Sequence, residues 1–362
     1  MAGTFAAREY KISAESEITV FSEKKPTLVT YRGGVHENSH IAHVAVADSQ
    51  GKLLFTSGDP ERITLARSTA KPFQAAAILR TGAVQHFGLG RQHLALMCAS
   101  HSSESVHIRC ARQILEKIST GERCLACGGH SPLSPEISRQ WIKTDFTPTG
   151  ICNNCSGKHA GMIAGALMLT GSAEGYSHPD HPMQQLVQET VSAISGLPQK
   201  SVLWATDGCN LPAPAFPLRT LASSYARLAV GTAASWPHAA LLNVLYEAMA
   251  DYPELIGGRG RFCTVLGNVF NGALVGKLGA DACYAVAVKA SAQTRKLGTS
   301  GALGIAVKIE DGSVDALYSV VCELLKTLGL SDEKTTAALK PFHFPEMRNT
   351  AGEVTGHRTF EF

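Results

Sequence analysis

The sequence predicts an α+β protein: a mixed β-sheet flanked by helices, with a helical subregion over about 155–255. Three observations carry this prediction. Strand-like patterns fall near both ends of the chain, at 41–56 and at 273–309. Helix-like stretches fill the interval between them. The 362 residues, 44% hydrophobic and 17% charged, give enough apolar mass for one large core or two ordinary ones.

The elements follow in order. Residues 1–30 lack a strong period and read as an N-terminal extension, an edge strand plus a loose end, ahead of a single domain over 31–362. Ile41 to Asp48 alternates, Ser49-Gln50-Gly51 turns, and Lys52 to Thr56 continues, which makes a β-hairpin. Leu94-Ala95-Leu96-Met97 is a strand or buried segment. Ser102 or Ser103 caps a helix over 104–118 with Val106, Cys110, Ile114 and Ile118 near one face. Ile151 to Leu169 begins as a cysteine-rich turn and becomes a buried helix whose small residues permit close packing. After the turn at 178–182, Asp180 caps a helix carrying Leu186, Val187, Val191 and Ile194, ended by Gly196. Helices are predicted over Leu218–Ala229 and Ala239–Asp251, and strands over Ala273–Lys277, Cys283–Lys289 and Leu303–Ile309. A turn at Lys308–Gly312 leads to a helix over 314–328.

Composition excludes several function classes. A net charge of +3 and 7% aromatic residues lack the basic, stacking surface of a nucleic-acid binder. No apolar run approaches the roughly 20 residues of a membrane span. Charges at Arg8, Glu9, Lys11, Glu15 and Glu17 break any secretory core, so the expected compartment is the cytoplasm. The ten cysteines then read as reduced thiols or metal ligands.

Four segments carry chemistry. Ala66 to Pro72 places Ser68 and Lys71 three residues apart, on one face of a helical turn. A neutral amine there can activate the hydroxyl as a nucleophile; a capped surface helix explains the same spacing. Pro72 is tolerated in a first turn, so a helix starting near Thr69 leaves Ser68 at its N-terminal mouth, where unpaired N–H groups favour an oxyanion. Met97 to Glu104 clusters Ser100, His101, Ser102 and Ser103, as a cap or as an active-site loop. Cys124-x-x-Cys127 and Cys152-x-x-Cys155, separated by 24 residues, have the pattern of a zinc ribbon, while Asp207-Gly208-Cys209 offers ligands from a distant segment. Arg261-Phe262-Cys263 is followed by Gly276-Lys277-Leu278-Gly279, a K-x-G element repeated at Lys296-Leu297-Gly298. The S-D-N element that accompanies K-x-G in penicillin-interacting enzymes is absent.

Taken together these motifs resemble the rhizobial-type L-asparaginase family, from about Arg32 to about Gly356. The match comprises R-G-G-x-x-E-N-S-H at Arg32–His40, L-A-R-S-x-A-K at Leu65–Lys71 and M-C-A-S-H-S-S-E at Met97–Glu104. C-x-N-C-S-G-K-H at Cys152–His159, T-D-G-C-N-L-P at Thr206–Pro212 and G-A-L-V-G-K-L-G-A-D at Gly272–Asp281 complete it. Thr69 stands where alanine is more usual.

The resemblance implies a fold like serine β-lactamases and glutaminases, a homodimer, and hydrolysis of L-asparagine to L-aspartate and ammonia. It implies Ser68 as nucleophile with Lys71 as its base, and Ser100 with Lys277 as a second pair. It implies zinc bound by Cys155, Lys158, Asp207 and Cys209; because the serine and lysine chemistry is complete without a metal, the zinc is expected to modulate substrate affinity rather than to be the hydrolytic centre. Arg67, His159, Gly208 and Cys263 are the expected substrate-side residues. Arg67 suits an α-carboxylate through its fork of donors; a structural ion pair accounts for it equally. The rivals are another S-x-x-K amidohydrolase, such as a glutaminase or a β-lactamase-like enzyme, and a zinc-stabilised binding module without catalysis.

Overall fold

The structure is a computed structural model and describes residues 25–232 and 238–361. The extension expected at 1–30 lies outside the described residues up to residue 24.

Five strands open the chain: β1 (Leu28–Arg32), β2 (Val35–His40), β3 (Ala42–Asp48), β4 (Leu53–Ser57) and β5 (Ile63–Leu65). Seven helices follow: α1 (Lys71–Arg80), α2 (Ala83–His86), α3 (Arg91–Met97), α4 (Ser105–Lys117), α5 (Pro135–Lys143), α6 (Ser156–Thr170) and α7 (Pro182–Ser195). A hairpin, β6 (Leu203–Thr206) and β7 (Pro212–Pro217), precedes α8 (Leu218–Leu228), α9 (Ala239–Asp251), α10 (Pro253–Ile256) and α11 (Phe262–Phe270). Then come β8 (Leu274–Gly279), β9 (Cys283–Val288), α12 (Ala292–Lys296) and β10 (Leu303–Ile309). The chain finishes with α13 (Val314–Thr327), α14 (Glu333–His343), β11 (Met347–Arg348) and β12 (Val354–Phe360).

The α+β class stands. The strands form three sheets, ordered β11-β12-β1-β2, β4-β3-β10-β9-β8 and β5-β7-β6, and their pairings are antiparallel. The five-stranded sheet carries the core. Its inner strands β3, β9 and β10 are apolar and buried almost throughout, as strands covered on both faces must be. Helix α8 packs across β3, β9 and β10. Gly304 of β10 makes this approach possible: a Cβ there would lie 1.9 Å from the Ala222 carbonyl oxygen.

Helix α6 shows why its small residues matter. Gly157, Gly161 and Gly165 repeat every four residues, so they form one ridge. A Cβ on each would meet Leu96, Ile78 and Met183 respectively, at under 3 Å. The ridge lets α6 press against α3, α1 and α7. Among the described residues no helix is long and apolar enough to cross a membrane.

The structure corrects four local expectations. Leu94–Met97 is helical, in α3, since it packs as one side of a helix layer and pairs with no strand. Glu104, not Ser102 or Ser103, precedes α4, because those serines are buried and donate to the Gly257 and Cys152 carbonyls. His181, not Asp180, caps α7, its ring nitrogen accepting from the Met183 N–H at 3.0 Å. The first described strand is internal, since β1 is covered on its outer side by the C-terminal β12.

Gly304→Ala should destabilise the protein by about 3 kcal/mol or more, because backbone and not a mobile side chain blocks the added methyl. The urea unfolding midpoint checks this, with Gly121→Ala, where the added Cβ meets nothing, as the reference.

Candidate active site

Ser68 is delivered by the small sheet. Strand β5 pairs with β7, and the Ala66 N–H extends the pairing by donating to the Pro214 carbonyl at 2.9 Å. Arg67 then takes a left-handed conformation, φ 50°, and Arg67–Ala70 makes one 3-10 turn before α1. Pro72 sits in the first turn of α1, where a missing N–H leaves no helical bond unmade. Ser68 therefore lies at a helix mouth, close to where its spacing from Pro72 puts it. Strand β8 passes directly behind: a Cβ on Gly279 would lie 2.8 Å from the Ala66 carbonyl oxygen.

Ser100 follows the end of α3, fixed by its N–H to the Ile256 carbonyl at 3.0 Å. Its hydroxyl lies between two fully buried lysines. Lys71 Nζ is 3.1 Å from Ser100 Oγ, and Lys277 Nζ, from β8, is 2.8 Å from it. Carbonyls also accept from the two amines: Ala99 and Asn154 for Lys71, Leu278 for Lys277. Burial, and then the charge of Lys71, bring Lys277 down to about 7. The amine of Lys71 thus bonds Ser100 rather than Ser68. Among the described residues no hydrogen bond engages the Ser68 hydroxyl, which faces the pocket.

A second cluster forms opposite. The tight turn between β6 and β7 is closed by Asp207 N–H to Leu211 O at 2.9 Å, and it presents Asp207, Gly208 and Cys209. Lys158, from α6, donates to Cys209 Sγ at 3.2 Å, and Cys209 Sγ lies 3.7 Å from Asp207 Oδ2. Hydrogen bonding from Cys155 brings Cys209 down to about 5 against the opposing effect of burial, and Lys158 adds to the shift. The same bond, with burial, pushes Cys155 up to about 12. Burial disfavours the Lys158 ammonium, but Cys209, Cys155 and Asp207 outweigh it and raise its pKa. Burial likewise opposes the Asp207 carboxylate, while Lys158 and Arg67 hold it below its usual range.

The chemistry of this set, two sulfurs, a carboxylate and an amine, suits zinc once Cys155 and Lys158 lose protons. No three His, Cys, Asp or Glu side chains among the described residues stand as a ready cage, so the fit rests on donor chemistry. The ribbon reading does not fit: Cys124 is exposed, Cys127 donates to Gly150 O, and among the described residues the four cysteines do not assemble as a group that could hold a metal ion. All ten cysteines are free.

Both clusters border a cavity of about 300 Å³ whose wall includes Arg67, Ser68, Ser100, Asn154, Asp207 and Arg261. Of the expected substrate-side residues, Arg67 and Gly208 are on this wall. His159 lies behind it, fully buried and held by Tyr176 at 2.6 Å. Cys263 also lies behind it, accepting from the Tyr284 hydroxyl at 3.3 Å. The Arg67 guanidinium is divided between Asp207 at 2.6 Å and Asp281 at 2.5 Å. Sequence reasoning assigned no role to Asn154, Asp281 or Arg261. The first two lie inside quoted motifs, and Arg261 carried only its place beside Cys263.

The fold and pocket define an α+β protein with a lysine-flanked serine facing a thiol–carboxylate cluster. The family model for L-asparaginase II matches residues 28–360, nearly the whole chain. The chain belongs to the L-asparaginase II family, which supports asparagine hydrolysis in general. No curated protein matches the chain.

Proposed function

We propose that this protein hydrolyses L-asparagine to L-aspartate and ammonia through a serine acyl-enzyme. The observation that carries the proposal is the Ser100 hydroxyl held at 2.8 and 3.1 Å between two buried amines, on the wall shared with an unengaged Ser68. Ser68 Oγ attacks the side-chain amide carbon and its proton passes to Lys71. As the tetrahedral intermediate collapses, the C–N bond breaks. The nitrogen takes a proton relayed through Ser100 and leaves as ammonia. Water then attacks the β-aspartyl ester, the ester C–O bond breaks, and Ser68 regains its proton. The backbone at the mouth of α1 stabilises the oxyanion.

Zinc, held by Cys155, Lys158, Asp207 and Cys209, would supply positive charge beside the pocket and so tune substrate affinity. The serine and lysine chemistry is complete on its own residues. A second reading makes Ser100 the nucleophile, because its hydroxyl already has two bases in reach. The two readings separate by which serine a diazoketone analogue of asparagine labels.

Ser68→Ala should abolish ammonia release while leaving the unfolding midpoint close to that of the unsubstituted protein. Label found on Ser100, with Ser68→Ala still turning over, would hand the role to Ser100. The pH dependence follows from Lys277. Its amine bonds the Ser100 hydroxyl that relays the proton and can accept a proton there only when neutral, so kcat/KM should climb as pH rises through about 7. Lys277→Met should remove that limb along with most activity. Chelation should raise KM several-fold and lower kcat little; loss of kcat as complete as in Ser68→Ala would make the metal the hydrolytic centre.

A further inference from the structure

The substrate just proposed carries an α-carboxylate, and the pocket wall holds two guanidinium groups that can bind it. Arg67 is committed. Its Nε and Nη1 donate to Asp207 and Asp281, so two carboxylates already neutralise one cation. Arg261 is not. Among the described residues no carboxylate lies within ion-pair distance of it, and its guanidinium bonds neutral groups, the Ser102 hydroxyl at 3.1 Å and the side chain of Tyr318.

The bond to Ser102 is positioned by its surroundings. Ser102 Oγ donates its own proton to the Gly257 carbonyl at 2.7 Å, so its lone pairs face Arg261. Gly258, at φ 111°, brings the backbone against Ser102, where a Cβ would lie 2.8 Å from Ser102 Cβ. Glu104 is turned away to the Arg259 N–H at 2.8 Å, which anchors the same loop. Arg261 then enters α11 as its N-terminal flanking residue, on the wall of the cavity that holds Ser68 and Ser100. The planar fork thus has two neutral partners, Ser102 and Tyr318, and is left without an anion. A fork of this kind matches a carboxylate in two parallel hydrogen bonds.

We infer that Arg261 binds the α-carboxylate of the substrate and that Arg67 instead braces the turn at Asp207. This rests on the amino-acid amidohydrolase reading above, and it adds the group that selects an α-amino acid over a simple amide. A site built around a charged donor rejects an analogue lacking the acceptor, because the donor is then left unpaired.

The test is calorimetric binding of L-aspartate, the product, against β-alanine, which is aspartate without the α-carboxylate. The unsubstituted protein should favour L-aspartate. Arg261→Met should weaken L-aspartate binding about 30-fold or more, leave β-alanine unchanged, and so erase the preference. Arg259→Met, which removes a nearby charge outside this cavity, should change neither. A preference retained in Arg261→Met, or no preference in the unsubstituted protein, overturns the inference. Should Arg261→Met fail to fold, Arg261→Lys keeps the charge, loses the fork, and should still weaken L-aspartate about fivefold or more; an unchanged affinity there overturns it as well. Ammonia release from L-asparagine, run alongside, tests the hydrolase reading separately. Absent ammonia with an Arg261-dependent preference for L-aspartate sinks that reading and leaves the anchor in place.

Discussion

Two fully buried lysines share one serine hydroxyl, and much of the molecule is arranged around that constraint. An ammonium removed from water needs acceptors on every side, and two adjacent ammoniums oppose each other. The chain answers with carbonyls from three separate places: Ala99 after α3, Asn154 before α6, and Leu278 on β8. These contacts fix how the end of α3, the turn before α6 and the edge of the five-stranded sheet meet. The glycines serve the same convergence. Gly276 clears room for Leu266 and the Tyr284 hydroxyl beside Lys277, and Gly279 admits the backbone of the turn that carries Ser68.

The opposing wall solves the inverse problem. Cys209 and Asp207 are anions in a buried turn, and Lys158 and Arg67 reach them from α6 and from the Ser68 turn. Buried ion pairs of this sort add little net stability, since desolvation cancels most of their attraction. Breaking one leaves a charge without a partner and costs far more. Such a cluster therefore specifies position more than it strengthens the fold. It ties the turn bearing Asp207 to the turn bearing Ser68, so the two walls of the cavity cannot drift apart independently.

Much of this was legible in the sequence where a period or a spacing exists. The hairpin at 41–56, the helix at 239–251 and the strand at 303–309 follow from alternation and apolar repeat, and they fall within a residue or two of their expected bounds. Caps were less legible. Several polar residues adjoin each helix start, and tertiary contacts decide which one is free: Ser102 and Ser103 were taken by distant carbonyls. The site was legible as motifs and not as geometry. The S-x-x-K spacing sets a face for Lys71, but four methylenes carry its amine to Ser100, 29 residues away. Arg261 had no pattern at all, because its role depends on where Gly257 and Ser102 lie after folding.

The allocation of charge across the cavity then limits what can enter it. Arg67 and Lys158 are matched by Asp207, Asp281 and Cys209. Burial and the neighbouring Lys71 lower Lys277 to about 7, so its amine is partly neutral near neutral pH. Arg261 is the cation left over at the wall. A neutral amide placed there would cover a guanidinium without answering it, and would lose the solvation that water gave. An amino acid brings a carboxylate for that cation. Binding and orientation then come from the same pairing: with the carboxylate held at Arg261, the side-chain amide is what remains to meet Ser68.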